Sequence, residues 1–145
     1  MKAWYVILAL QCFFTFMLTG LIWCVQSVYY ALFSWVDKTK FCDFARQYQK
    51  RIAFIMGPLF VLECFFAILM LTVARAGECR IITFTLFALL LLIWLSTFCL
   101  QIPEHAALSK EFNHKNLRRL IATNWIRTVS WTLRSLLLLW LLIRI

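Results

Sequence analysis

Charge is what this sequence has least of. Only 14% of its 145 residues are charged and 64% are hydrophobic, against roughly 25% and 45–50% in soluble domains. A soluble bundle buries one stripe per helix and exposes the rest. Here there is too little polar surface to cover the outside, which argues against a soluble domain and makes lipid the expected solvent. The charges are also missing in blocks. None lies between Ala3 and Val36, and none between Ile81 and Pro103.

Other absences narrow the chemistry. No CxxC occurs, and Cys12, Cys24, Cys42, Cys64, Cys79 and Cys99 stand singly. Four of them fall in apolar runs. Cys42 and Cys79 fall in successive loops, on opposite sides of a membrane and beyond pairing. This disfavours a disulfide framework or metal site, and the cysteines read as small apolar packing residues. GxxxxGKS/T, GxGxxG, GxSxG and HExxH are missing, which disfavours nucleotide-driven transport by this chain alone, serine hydrolysis and zincin chemistry. There is no basic–aromatic nucleic-acid module, no internal repeat, no low-complexity tract and no GxxxG seam. His105 and His114 fit no familiar ligand spacing. No metal, cofactor or nucleic acid is expected.

What is present is a set of long apolar runs. A span needs about 20 predominantly apolar residues. Residues 4–33, 52–74, 81–102 and 120–143 qualify, the second interrupted by Glu63 and the last carrying Arg127 and Arg134. The first run exceeds the roughly 7–15 residues of a signal-peptide core, and no small-residue cleavage site follows. It reads as a retained helix whose aromatic end (Tyr29, Tyr30, Phe33, Trp35) suits the interface. The expected fold is all-α: a four-helix transmembrane bundle forming one domain over residues 1–145, with short interfacial helices. Phe41, Phe44, Ala45 and Tyr48 recur at helical spacing and predict one such helix. His105 to Leu120 is also amphipathic and leads toward the last span. Pro103 is expected to end or kink the third helix, and Gly57-Pro58 to bend the second.

Orientation follows from the basic residues. Loops 37–51 and 103–119 share one face and carry Lys38, Lys40, Arg46, Lys50, Arg51, Lys110, Lys115, Arg118 and Arg119. The other face carries Lys2, Arg75, Arg80 and Arg144. The positive-inside rule then makes the two long loops cytoplasmic in a multi-pass protein of the plasma (inner) membrane. The net charge of +9 is explained by basic loops attracting anionic lipid. The bilayer, a lipophilic small molecule and further copies of the chain are the expected partners.

The remaining information lies in polar residues within the spans, which usually face the bundle interior. Gln11, Thr15, Thr19, Gln26 and Tyr30 form a stripe about 100° wide on the first helix. Glu63 lies about 16 Å along the second. On the third helix Thr97 and Gln101 share a face with Trp94, and Glu104 and His105 follow Pro103. Asn124, Arg127, Trp131 and Arg134 share a sector of about 80° on the fourth. Arg127 is about 10 Å deep. Arg134 lies deeper, where it either snorkels toward the outer face or finds a second partner.

The sharpest expectation is a bidentate Glu63–Arg127 pair, with Gln26 and Asn124 taking the remaining hydrogen bonds. Such a pair reads either as a clamp fixing helix register or as a binding or proton-handling site open to the cytoplasmic side. Glu63, His105 and Arg127 are the catalytic candidates. The binding candidates are Gln26, Tyr30, Glu63, Gln101, His105, Asn124, Arg127 and Trp131.

Two stretches carry a resemblance: Gln101-Ile-Pro-Glu-His-Ala-Ala-Leu108, and Arg118-Arg119-Leu-Ile-Ala-Thr-Asn-Trp-Ile-Arg-Thr128. They resemble small bacterial four-helix membrane proteins of unassigned function and, more loosely, the anthrone-oxygenase-like superfamily. That superfamily has a Pro-polar-x-x-Leu segment after the third helix and an Asn-x-x-Arg-Thr element in the fourth. The matching positions here are Pro103, His105, Leu108, Asn124, Arg127 and Thr128, with His105 standing where the oxygenase pattern has Asn. The resemblance implies four membrane helices and, for the oxygenases, oxidation of polycyclic anthrones without metal or flavin.

Three functions follow as expectations. The first is a small membrane protein without demonstrable catalysis, whose polar cluster binds a lipophilic molecule. The second is a cofactor-independent oxygenase or oxidoreductase using His105, Glu63 and Arg127 for proton transfer and anion stabilisation. The third is an oligomeric transporter or channel. An enzyme predicts Glu63 and His105 close together in a pocket. A transporter predicts water access and a specific oligomer. A structural clamp predicts a dry, satisfied salt bridge.

Overall fold

Long apolar runs with no polar backbone partner available must satisfy their own N–H and C=O groups, and helices do this within one segment. In the computed structural model, residues 2–74 and 78–144 are described. They form four helices long and apolar enough to cross a membrane: α1 Ala3–Trp35, α2 Phe41–Val73, α3 Arg80–Leu108 and α4 His114–Ile143. The fold is an all-α four-helix bundle. Arg75 and the side chains of Lys2 and Cys79 lie outside what is described. The other five cysteines are free.

The helices alternate in direction and form a ring in which α1 packs on α2 and α4, and α3 on α4. The α2–α3 seam is the loosest of the four. Two apolar clusters fill the ring. One lies toward the basic loops, around Leu18, Ile22, Phe33, Phe41, Ile93, Leu108 and Leu120. The other lies toward the opposite end, around Trp4, Leu8, Met70, Leu86, Leu138 and Leu141.

Helix starts differ from the expected ones. The segment expected to lie in the interface as a separate helix, with Phe41, Phe44, Ala45 and Tyr48, is the first part of α2. Its apolar face is already covered: Phe41 is buried, and Tyr48 meets Phe33 at 5.0 Å. With that face packed on α1, the segment continues the bundle. His105 to Leu120 likewise does not run on as one helix. The chain turns after Leu108, and α4 begins at His114, where the Asn113 side chain accepts from the Lys115 N–H at 2.8 Å, an N-cap. At the α1–α2 turn, Asp37 accepts from the Thr39 hydroxyl at 2.6 Å and its N–H at 2.8 Å. The hydroxyl, then the N–H, lower the Asp37 pKa from its ordinary value.

The prolines do not stop their helices. α2 runs unbroken through Gly57-Pro58, with Pro58 facing outward. Ahead of Pro103, α3 widens into a π-turn, Thr97–Gln101, and then continues to Leu108. A proline ring collides with the carbonyl four residues back and cannot donate to it. A wider turn relieves both problems. A second π-turn, Val25–Tyr29, interrupts α1. Such turns frequently mark functional sites.

A β-carbon added at Gly57 meets nothing within 4 Å. Gly57→Ala is therefore expected to stabilise the bundle by about 0.5–1 kcal/mol through helix propensity, read as a higher unfolding midpoint in detergent micelles.

Candidate functional site

Two buried cations set the problem. In a low-dielectric interior each must be paired or hydrogen-bonded. The structure treats Arg127 and Arg134 differently.

Arg134 is fully buried and pairs with Glu63, which is also fully buried. Its Nε and Nη2 donate to Glu63 Oε1 at 3.2 and 3.1 Å, and its Nη1 donates to the Leu86 carbonyl of α3. Thr15 donates its hydroxyl to Glu63 Oε1 at 2.8 Å, and the Trp131 indole N–H reaches Oε2 at 3.1 Å. Gln11 in turn donates to Thr15 at 3.1 Å. One carboxylate thus gathers donors from α1 and α4.

The expected Glu63–Arg127 pair is not formed; the partner is Arg134. Two physical reasons account for the shift. First, α2 starts at Phe41 and α4 at His114, about 11 and 6 residues ahead of the apolar runs. Those starts are neighbours, joined through Phe41–Phe112 at 4.6 Å and Phe112–His114 at 4.7 Å. The offset, roughly 7 Å at 1.5 Å per residue, carries Glu63 past Arg127. Second, helical side chains lean toward their own N-terminus. Arg134 leans to the level of Trp131, and Arg127 leans away from Glu63 toward Asn124. Phe60 lies between the two levels, against Trp94 at 4.8 Å and Trp131 at 5.4 Å.

Arg127 belongs to a second network. Its Nε and Nη2 donate to Asn124 Oδ1 at 2.9 and 2.6 Å, and Nη1 reaches the Thr97 hydroxyl at 3.4 Å. Asn124 donates to Gln26 Oε1 at 2.7 Å. A separate set of hydrogen bonds adjoins it: Tyr30 Oη donates to Gln101 Oε1 at 3.2 Å and lies 3.1 Å from His105 Nε2. Gln101 donates to Thr123 Oγ1 at 2.8 Å. Arg127 is 8% exposed, yet no carboxylate forms an ion pair with it among the described residues. Glu104 pairs instead with Arg119 at 3.0 Å.

Both sets reach a cavity of about 420 Å³ between α2 and α3. Tyr30, Gln101, His105 and Arg127 reach it, with Tyr48, Ile52, Met56, Phe60, Trp94 and Phe98 as its apolar and aromatic walls. Two of the lining residues, Tyr48 and Trp94, bury a hydroxyl and an indole N–H that have no hydrogen-bond partner among the described residues. The volume falls within the ordinary range of small-molecule pockets.

Of the eight binding candidates, six lie in these two sets around the cavity: Gln26, Asn124 and Arg127 in one, Tyr30, Gln101 and His105 in the other. Gln26 and Asn124 stand behind Arg127 and orient it, outside the lining. Glu63 and Trp131 are elsewhere, in the Arg134 cluster, so the three catalytic candidates are not brought together. Sequence reasoning missed Tyr48, which it placed in the interface, and the pairing role of Thr15. Thr15 sits on the α1 polar stripe, which was the signal for it. Among the described residues no group of His, Cys, Asp or Glu is placed to hold a metal ion.

No family model, curated protein or solved structure matches the chain.

The two arginines are expected to differ sharply on removal. Arg134→Leu leaves Glu63 buried and unpaired and costs about 3–5 kcal/mol. Arg127→Leu strands no carboxylate and stays within about 1–2 kcal/mol of wild type. Unfolding in micelles under matched conditions measures both.

Proposed function

We propose that this chain is a membrane-embedded binding protein for a lipophilic small molecule. The carrying observation is Arg127, a buried cation that lines an aromatic cavity and has no carboxylate partner among the described residues. A buried unpaired charge is costly, and intramembrane ionisable groups facing a cavity commonly mark a ligand or ion pathway. The separate, satisfied Glu63–Arg134 pair is the structural clamp, which leaves Arg127 free of that duty.

The protein is placed in the plasma (inner) membrane with residues 37–51 and 103–119 on the cytoplasmic side. The support is the concentration of Lys and Arg in those segments. The cavity then lies in the cytoplasmic half of the bundle, on the same half as Tyr48 and His105.

A second reading is catalysis on the bound molecule, favoured by His105 sharing a hydrogen bond with Tyr30 on the cavity wall. The oxygenase-like resemblance gives it a concrete form: an anthrone and one O₂ give the quinone and water, with His105 as the base. Quinone formation with stoichiometric oxygen uptake, lost in His105→Ala, supports it.

Binding is tested by native mass spectrometry of the gently purified chain. A reproducible small-molecule adduct is expected on wild type and not on Arg127→Ala of matched fold. A bare wild-type chain overturns the proposal. Sidedness is tested with single cysteines in a background lacking the six native ones. An impermeant maleimide is expected to label Arg144→Cys in intact spheroplasts, and Ser109→Cys only after lysis.

A further inference from the structure

We infer that the molecule bound is an anionic amphiphile, a single lipophilic body ending in one carboxylate, which enters sideways from the bilayer between α2 and α3. This rests on the binding role proposed above and specifies its ligand.

The head group follows from what the cavity offers. One donor on its lining is left over: Arg127 Nη1, whose sole hydrogen bond among the described residues is the 3.4 Å reach to Thr97, while the Tyr48 hydroxyl and Trp94 indole N–H are closed off within the walls. A ligand that satisfies it must present an acceptor. A neutral acceptor such as a ketone or quinone would satisfy the hydrogen bond and leave the guanidinium charge uncompensated in low dielectric. A carboxylate does both, through a charge-assisted contact of the stronger kind. A phosphate monoester dianion would bring more negative charge than one guanidinium balances. Asn124 holds Nε and Nη2, so the free Nη1 is the edge left for an incoming oxygen.

The route follows from the mouth. Val61, Phe98 and Ile102 line the cavity while remaining 61%, 54% and 49% exposed. They sit on the outward faces of α2 and α3, where the surroundings are hydrocarbon. The α2–α3 seam is also the loosest in the ring. The opening therefore faces the acyl chains, and a ligand already dissolved in the bilayer reaches it without crossing water. Gly57 keeps this space clear, since no atom lies within 4 Å of where its side chain would begin.

The test is binding of tritiated palmitate, methyl palmitate and hexadecanol to the full chain in nanodiscs. Palmitate is expected to bind about tenfold tighter than the ester or alcohol, the scale of one charge-assisted hydrogen bond. Arg127→Gln should bring all three to similar affinity by weakening the acid alone. Arg127→Lys, which keeps the charge and loses the fork, should retain the preference for the acid and serves if Arg127→Gln folds poorly; loss of that preference in a folded Arg127→Lys overturns the charge-based head group. Gly57→Trp should exclude all three while retaining helicity and a cooperative melt, with Gly57→Leu as the milder filler. Equal wild-type affinity for the three ligands overturns the anionic head and leaves lipophilic binding standing. No binding of any, or binding unchanged by filling at Gly57, overturns the cavity itself as the site.

Discussion

The bundle depends on one ion pair. Glu63 and Arg134 meet in the interior from opposite corners of the ring, α2 and α4, and Arg134 also reaches a backbone carbonyl on α3 while Glu63 collects Thr15 from α1. All four helices are joined within a few ångströms. Apolar packing between helices in lipid is weakly directional, because lipid tails are as apolar as leucine. A polar layer that is satisfied in one register and broken in every other supplies the direction. It separates the two apolar clusters and sets the height of each helix against its neighbours.

With that pair closed, the chain still holds a cation it has not matched. Structural duty and vacancy are thereby divided between two arginines two turns apart on one helix. The division is maintained by aromatic rings: Phe60 and Trp131 stand between the levels, and the Trp131 indole N–H faces the carboxylate rather than the cavity. The cavity and the clamp touch but share no ionic contact. A change in the cavity need not loosen the clamp.

The four helices were legible because hydropathy records how much apolar surface a segment must hide, and the runs here are unambiguous. Their true starts were not. Hydropathy marks the apolar stretch, whereas a helix that continues through Arg46, Lys50 and Arg51 with its apolar face packed has no apolar boundary there. That displacement moved Glu63 by enough to exchange its partner. Angular position placed Asn124, Arg127 and Gln26 on converging faces and the structure does bring them together. Angle alone says nothing about the axial lean of a side chain, and depth counted from the apolar runs favoured Arg127 over Arg134 as the partner of Glu63. The unpartnered Tyr48 hydroxyl and Trp94 N–H have no one-dimensional signature at all, since an unmet hydrogen bond is a property of the surroundings.

The order in which the chain emerges gives the clamp a further meaning. Glu63 lies on the second helix and Arg134 on the fourth, whose mean hydropathy of 1.4 is well below the 2.4 of α2 and α3. In chain order the carboxylate and its partner Thr15 both precede Arg134, with α3 between. The fourth helix is the least apolar and carries Arg127 and Arg134 within its apolar run, so by its own composition it is the poorest candidate for insertion. Pairing of Arg134 with Glu63 offsets part of that deficit. The two fully buried charges of the pair are each made acceptable in lipid by the other, so the fourth helix is held there by a residue of the second.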